Sequence, residues 1–349
     1  MRKILILADG LIKKEQLDEP AILKRFEKYG ADVTVKTATD TTGIRYNPEQ
    51  PIEWVSKIEK EGPEWVEPDE EIMRELADTE ILLTQFSGVN EKMMDAAKNL
   101  KMIGVMRSGV ENVNMAAARA RGIQVCSCPG RVSEPVADFA VLMMLAESRN
   151  IMRDSISATG KWTTFNKDPM NVAMKNLTVG LVGFGVIGSK VASRLAPFGS
   201  RVLAYDPYTS QELASKYNVT LVTLPELLKE ADIVSVHARL CPETKDLIGA
   251  EQFALMKPNA IFINTARAGL VNEQALIDAL TNKTIRSAAI DVFWNEPLAE
   301  DHPLMKLDNV TLTAHRAGGT VDVLPNSIDI MLEDLDNYFA GAPLKHLMK

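Results

Sequence analysis

Short apolar runs alternate with amphipathic stretches along most of this chain. Residues 2–8, centred on Ile4, Leu5, Ile6 and Leu7, are apolar on both faces and read as a fully buried strand. Residues 17–29 carry a helical period, with Pro20 in the first turn and Gly30 as the stop. Residues 31–36 read as a second strand. The stretch 38–69 is polar, rich in Pro, Glu and Trp, and has little period, apart from a short helix expected around Ile52–Glu61. Strands at 80–84, 101–106 and 123–126 then alternate with helices at 70–77, 91–99 and 114–121. Such alternation predicts parallel βαβ units.

Pro129 and Gly130 break the pattern, and Val132–Asn150 reads as one long apolar helix. After a polar, irregular stretch at 151–176, six further strands are predicted: 177–182, 201–205, 232–236, 259–264, 286–290 and 309–313. That is the number a doubly wound dinucleotide domain needs. A last helix covers 321–340.

At 349 residues the chain is long enough for two domains with cores of their own. A net charge of −8 argues against nucleic acid and anionic membrane as partners. No apolar run has the length of a transmembrane helix, and the N-terminus lacks the pattern of a signal peptide. Three cysteines, Cys126, Cys128 and Cys241, include no CxxC pair, so reduced thiols in the cytoplasm are expected. Cys126 and Cys128 read as small residues at a strand end, with redox activity as the alternative. No metal ligand set is expected.

The run Leu177–Gly188 predicts a buried strand, a glycine turn and a helix start, with Gly183, Gly185 and Gly188 filling the slots of GxGxxG. The first glycine permits the tight turn, the second lets a pyrophosphate approach, and the third lets helix pack on strand. Asp206 ends the next apolar run at the distance expected of an acid that accepts from ribose hydroxyls. It would repel a 2′-phosphate, and no Arg adjoins it, so NAD is expected over NADP.

Three later strands end in polar chemistry: Arg267 after Ile263, Asp291 and Glu296 after Ile290, and His315 after Thr311. Hydride transfer to or from a carbinol carbon needs a proton carrier, and an attached carboxylate needs a cation. Histidine suits the first task and arginine the second. A carboxylate beside the histidine would orient the ring. Of the four histidines, His302 and His346 lie in polar sequence and are expected to be exposed. His237 ends a strand and reads as wall or packing, which leaves His315 as the proton carrier. Trp294 reads as packing.

From about 105 to 320 the chain resembles the D-isomer-specific 2-hydroxyacid dehydrogenases. The resemblance rests on several motifs in fixed order: GVENVN at 109–114, PGRVSEPVADFAV at 129–141, GLVGFGVIG at 180–188, NTARAG at 264–269, DVFWNEP at 291–297 and TAHRAGGT at 313–320. It implies an α/β fold of two doubly wound parallel-sheet domains. A Rossmann NAD-binding domain, 130–319, would be inserted into a flavodoxin-like substrate domain made of 1–129 and 320–349. It implies a catalytic trio of Arg267, Glu296 and His315. Arg267 would bind the substrate carboxylate and carbonyl, His315 would move the proton, and Glu296 would hold His315. Ser108, Val186, Ile187, Ala238, Thr265, Ala266 and Gly318 match positions that touch NAD, and Asp291 matches the one facing the nicotinamide carboxamide. Ser108, Gly109 and Val110 match a backbone clamp for the substrate carboxylate. A homodimer through the cofactor domain is implied, with an arm at 134–175.

The chain also departs from the family pattern. Ala314 and Arg316 flank His315, Ala268 replaces a glycine, Asn272 a common aspartate, and Arg239 stands where proline is usual. Arg107 precedes the clamp. It reads either as a ligand for a phosphate or second carboxylate, or as an exposed strand-end residue. With Arg316 it points to a phosphoglycerate dehydrogenase-like or sugar-acid substrate. The sequence ends soon after the last helix, so no regulatory C-terminal domain is expected. Hydroxypyruvate or glyoxylate reduction is the alternative. An NAD-sensing regulatory or corepressor protein is the alternative of another class.

Overall fold

The structure is a computed structural model that describes residues 2–49, 53–162 and 172–348. The chain forms two compact units. One joins Met1–Arg131 to Val321–Lys349, and the other is Val132–Thr320.

The first unit is built on five parallel strands: β1 (Arg2–Ala8), β2 (Val33–Thr39), β3 (Ile81–Thr84), β4 (Met102–Val105) and β5 (Gln124–Ser127). Their order is β2-β1-β3-β4-β5, the flavodoxin-like arrangement. Alternate side chains leave each strand for opposite faces, so both faces are cores. Leu5, Leu7, Leu82 and Ile103 enter one cluster, and Ile4, Ile6, Ile81, Leu83 and Met102 enter the other. The last helix, Val323–Ala340, seals the second face with Ile328, Met331 and Leu335. Beyond it, the buried Asp334 carboxylate accepts from the Lys345 and His346 N–H groups and pairs with the His346 ring. That holds the tail beside β5, where the Met348 N–H reaches the Val125 carbonyl at 2.8 Å.

Two sequence expectations need correction here. The helix expected over 17–29 breaks into Lys14–Leu17, Pro20–Leu23 and a 3₁₀ turn, Lys24–Tyr29. Pro20 has no N–H with which to continue a helix from Leu17, and starts a new one. The aperiodic stretch 38–69 holds two helices, Thr42–Tyr46 and Glu53–Glu61. Ile52, where the second was expected to begin, lies outside the described residues. Trp54, Val55, Ile58 and Val66 make a small core there, and a side chain on Gly43 would collide with the Trp54 indole.

The second unit has seven parallel strands: β6 (Thr178–Val182), β7 (Arg201–Tyr205), β8 (Val219–Leu221), β9 (Ile233–Val236), β10 (Ile261–Asn264), β11 (Ser287–Ile290) and β12 (Val310–Leu312). Their order is β12-β11-β10-β9-β6-β7-β8. Strand β8 escaped the sequence reading. It is a three-residue edge strand, paired on one side only, and too short to show a period. The long apolar helix is Ser133–Ser148, packed across the sheet through Ala137, Ala140, Val141 and Met144. Short helices at Ile151–Asp154 and Ile156–Thr159 follow, and part of the arm expected at 134–175 lies outside the described residues. Among the described residues, no helix is long and apolar enough to cross a membrane.

Phe262, on β10, is fully buried and stands edge-on to Phe253, with ring centroids 5.3 Å apart. Phe262→Ala removes a large side chain that packed surroundings cannot replace. It is expected to cost about 3–5 kcal/mol, read as a lower urea midpoint for the second unit by tryptophan fluorescence. An unchanged midpoint would contradict the packing.

Candidate active site

The glycine turn joins β6 to the helix Val186–Leu195. Gly183 sits at φ +99°, and a Cβ there would strike the backbone of Ala238. A Cβ on Gly188 would strike the Gly183 carbonyl, so helix and strand touch backbone to backbone. Gly185 differs, because a Cβ there would meet nothing within 4 Å. Open space over the first turn of a ten-residue helix, whose N–H groups lack intrahelical partners, suits a pyrophosphate. Asp206, at the end of β7, holds this turn. Its Oδ2 accepts from the Phe184 N–H at 2.8 Å and its Oδ1 from the Tyr208 N–H at 2.8 Å.

The walls beside the turn carry unused polar atoms. Thr265 Oγ1 and His237 Nδ1 are buried without a hydrogen-bond partner. The other His237 ring nitrogen meets Ser235 Oγ at 2.9 Å, and burial pushes its pKa down to about 4, so the ring is neutral at pH 7. Residues 183–188, Asp206, Ala238 and Thr265 therefore fit a bound dinucleotide in space and in hydrogen-bonding capacity. Val186 is exposed, while Ile187, Ala238, Ala266 and Gly318 are partly buried.

The chemistry gathers at the carboxyl ends of β10, β11 and β12. Asn264 shapes the first loop. Its Oδ1 accepts from the Ala266 N–H and its Nδ2 donates to the Arg267 carbonyl, leaving Arg267 exposed. Asp291, which is buried, holds the third loop. Its carboxylate accepts from the Thr313 hydroxyl at 2.6 Å, the Arg316 N–H at 2.7 Å and the Ala317 N–H at 2.8 Å. Between those anchors His315 takes a left-handed backbone, φ +48°. Glu296 Oε1 accepts from the Phe293 N–H at 2.9 Å, and Oε2 lies 2.8 Å from His315 Nδ1.

A carboxylate can only accept, so Nδ1 carries the hydrogen and Nε2 is the nitrogen that exchanges protons. The Glu296 hydrogen bond raises the His315 pKa above the usual 6.5, against the opposing pull of burial. Burial alone would raise Glu296, but the bonds from His315 and the Phe293 N–H outweigh it and hold the carboxylate below its usual value. The charge of Arg267 reaches both groups.

The structure agrees with the sequence on some of the remaining residues of interest and differs on others. His302 and His346 are not exposed. Each is largely buried and paired, with Glu273 at 2.9 Å and Asp334 at 2.8 Å. Arg107 is not an exposed strand-end residue either, since its guanidinium lies 4.6 Å from the Phe86 ring centroid and pairs with Glu59. Ser108 Oγ donates to the Cys128 carbonyl, Val110 packs on the core, and the Glu111 carboxylate lies over Gly109. Trp294 packs on the core and donates to the Val271 carbonyl. Arg316 and Arg239 are exposed. The Cys126 and Cys128 thiols are buried and pushed up to about 12, which is inert at neutral pH. Thr313 and Asn264 were missed as positioning residues. The one signal for them was their place at strand ends, two and three residues before His315 and Arg267.

Residues 141–317 match the family model described as D-isomer specific 2-hydroxyacid dehydrogenase, NAD binding domain. The chain is 39% identical over 279 residues to a D-3-phosphoglycerate dehydrogenase of Archaeoglobus fulgidus, covering 79% of this chain and 53% of that protein. It spans about half the length of the phosphoglycerate dehydrogenases it matches. It is 37% identical over 283 residues to a glyoxylate reductase of Thermofilum pendens, covering 79% of this chain and 83% of that protein. Among solved structures, D-lactate dehydrogenase with NAD+ from Lactobacillus jensenii superposes with a TM-score of 0.78 at 25% identity, over 99% of both chains. The cofactor of the second unit is NAD, and the chain belongs to the D-isomer specific 2-hydroxyacid dehydrogenase family.

Proposed function

We propose that this protein is an NAD-dependent oxidoreductase that interconverts a D-2-hydroxy acid and its 2-oxo acid. The observation that carries this reading is the His315–Glu296 pair, with the Arg267 charge close to both, at the sheet edge that also carries the dinucleotide turn. Bound NAD supplies the hydride acceptor for oxidation, and NADH the donor for reduction. His315 supplies the proton. In reduction the protonated ring gives its Nε2 hydrogen to the carbonyl oxygen, and in oxidation the neutral ring takes the hydroxyl hydrogen. Glu296 keeps Nδ1 protonated and stabilises the charged ring. Arg267 binds the substrate carboxylate and polarises the carbonyl, as a planar, permanently charged fork can. Ser108, Gly109 and Val110 match the family's carboxylate clamp, and that role is part of the same reading. Asp291 serves first to hold the His315 loop.

A phosphoglycerate dehydrogenase-like or sugar-acid substrate is favoured, on the Archaeoglobus relative and on the largely buried Arg107. Glyoxylate or hydroxypyruvate reduction is the second reading. It is supported by the Thermofilum relative, which the chain covers more fully. A cytoplasmic homodimer is part of the same reading. Its cysteines are unpaired, and Leu142, Ile151 and Met152 are exposed apolar residues on consecutive helices of the cofactor unit.

The reading is tested with NADH and a panel of 2-oxo acids: glyoxylate, pyruvate, hydroxypyruvate, phosphohydroxypyruvate and several 2-oxo sugar acids. Tight NAD binding with no NADH oxidation by any of them would leave a cofactor-sensing protein instead. His315→Ala is expected to lower kcat by roughly 10²–10⁴, while a wild-type rate would remove it as proton carrier.

Reduction needs the protonated ring. Because the His315 pKa is raised, kcat/KM for reduction should hold above pH 6.5 and fall as pH rises through the raised value. Oxidation should rise across the same range. Glu296→Gln removes the main cause of the shift, so the fall in reduction should move to lower pH. A profile that stays in place in that variant would detach Glu296 from His315.

Asp206→Ala should lower kcat/KM for NADH more than for NADPH, because it removes both the ribose acceptor and the charge that repels a 2′-phosphate. An unaltered ratio would assign cofactor choice elsewhere.

A further inference from the structure

The glycine turn that takes the cofactor carries no charged side chain of its own. Residues 183–188 read Gly-Phe-Gly-Val-Ile-Gly. A dinucleotide brings a doubly charged diphosphate to that turn. Backbone N–H groups and the positive end of the helix Val186–Leu195 meet it with the equivalent of about half a unit charge. The next cations along the chain, Lys190 and Arg194 on the same helix, are already committed. Lys190 pairs with Glu134, and Arg194 pairs with both Glu134 and Asp138.

A neighbouring strand end brings a cation from the side. β9 lies next to β6, and the His237 N–H donates to the Val182 carbonyl at 2.7 Å, immediately before the turn. Ala238 follows, and a Cβ on Gly183 would stand 2.4 Å from its nitrogen. Arg239 comes next. It is exposed, and its guanidinium has no hydrogen bond or ion pair among the described residues. Its main chain, in contrast, is fixed. The Arg239 carbonyl accepts from the Thr244 hydroxyl at 2.6 Å, the Cys241 N–H donates to that hydroxyl at 2.9 Å, and the Leu240 side chain lies over Gly269. Asp206 does not pair with Arg239. β6 separates β7 from β9, so the two stand on opposite sides of the turn, and the Asp206 oxygens accept from the Phe184 and Tyr208 N–H groups. In the same loop as Arg239, His237 Nδ1 is also buried without a partner. A held backbone with a free guanidinium places five unused donors beside the turn.

We propose that the Arg239 guanidinium is a ligand of the cofactor diphosphate and provides the cation that the turn lacks. Its position favours the diphosphate over the ribose end. Arg239 is one residue from the backbone contact with Gly183, whereas the ribose acid Asp206 lies across the turn. A planar, permanently charged fork can give two N–H groups to one phosphate. The side chain is exposed, so solvent and salt screen the contact, and its effect on affinity is on the order of tenfold. The inference rests on NAD as the cofactor and is independent of which acid is oxidised.

The test is isothermal titration of NADH, NADPH, ADP and adenosine into the full-length protein without acid substrate. ADP carries a diphosphate without the nicotinamide half, and adenosine carries neither. Arg239→Ala should weaken NADH, NADPH and ADP by about tenfold each and leave adenosine unchanged. Arg239→Lys, which keeps the charge without the fork, should fall between. Lys245→Ala removes another exposed charge from the same loop, beside Gly269 rather than Gly183, and should bind all four as the wild type does. NADH and ADP affinities that survive Arg239→Ala overturn the proposal. An equal loss in Lys245→Ala also overturns it, because the effect would then be one of net charge. So does an equal loss of adenosine, which would make the loop an adenine wall, and so does a loss confined to NADPH, which would move the contact to a 2′-phosphate. No acid substrate takes part, so failure of any arm leaves the dehydrogenase reading standing. A protein that binds NADH through Arg239 but oxidises it with no 2-oxo acid would keep the diphosphate contact and remove that reading.

Discussion

The buried carboxylate of Asp291 is the constraint on which the His315 loop depends. It sits at the end of β11 and takes three hydrogen bonds from one short loop, through the Thr313 hydroxyl and the Arg316 and Ala317 N–H groups. Those bonds carry the chain through a left-handed residue at His315, a conformation that costs a non-glycine side chain on the order of 1 kcal/mol. The strain is offset locally, and its effect is to present the imidazole to Glu296 rather than to the core. Without the clamp the loop would relax, and the histidine would have no fixed partner.

Among the described residues there are three histidine–carboxylate pairs with contacts of 2.8–2.9 Å, so the pairing alone does not mark a catalytic site. Exposure separates them. The His302 and His346 side chains are each 15% exposed and hold structure, at a 3₁₀ turn and at the C-terminal tail. The His315 side chain is 49% exposed, so a proton can enter and leave. His237 makes the opposite point, since a buried imidazole without a carboxylate is neutral and serves as wall.

The two units use the same architecture for different electrostatics. In the second, the open space over Gly185 and the first turn of the following helix favour a phosphate anion through backbone N–H groups. In the first, the corresponding sheet edge carries side-chain charge at Arg107 and Arg131, which follow separate strands. Backbone donors recognise a group common to every dinucleotide.

The strands, the dinucleotide turn and the meeting of Glu296 with His315 were legible in the sequence. Buried parallel strands read as apolar runs, and the turn needs glycine where helix and strand touch. The residues of the trio stand in motifs at strand ends, where chemistry-bearing side chains have few structural reasons to occur. Local pattern could not show β8, a three-residue edge strand, or the packing of 38–69 around Trp54. Nor could it show the burial of His302, His346 and Arg107, because each depends on a partner far along the chain. Arg131 passed unnoticed as one letter after a Pro-Gly break. Sequence determined which elements form and which cofactor they hold, since both follow from contacts within a few residues. Tertiary structure decided which charges are paired and which are left waiting, because burial and partnership exist only once distant strand ends share one edge.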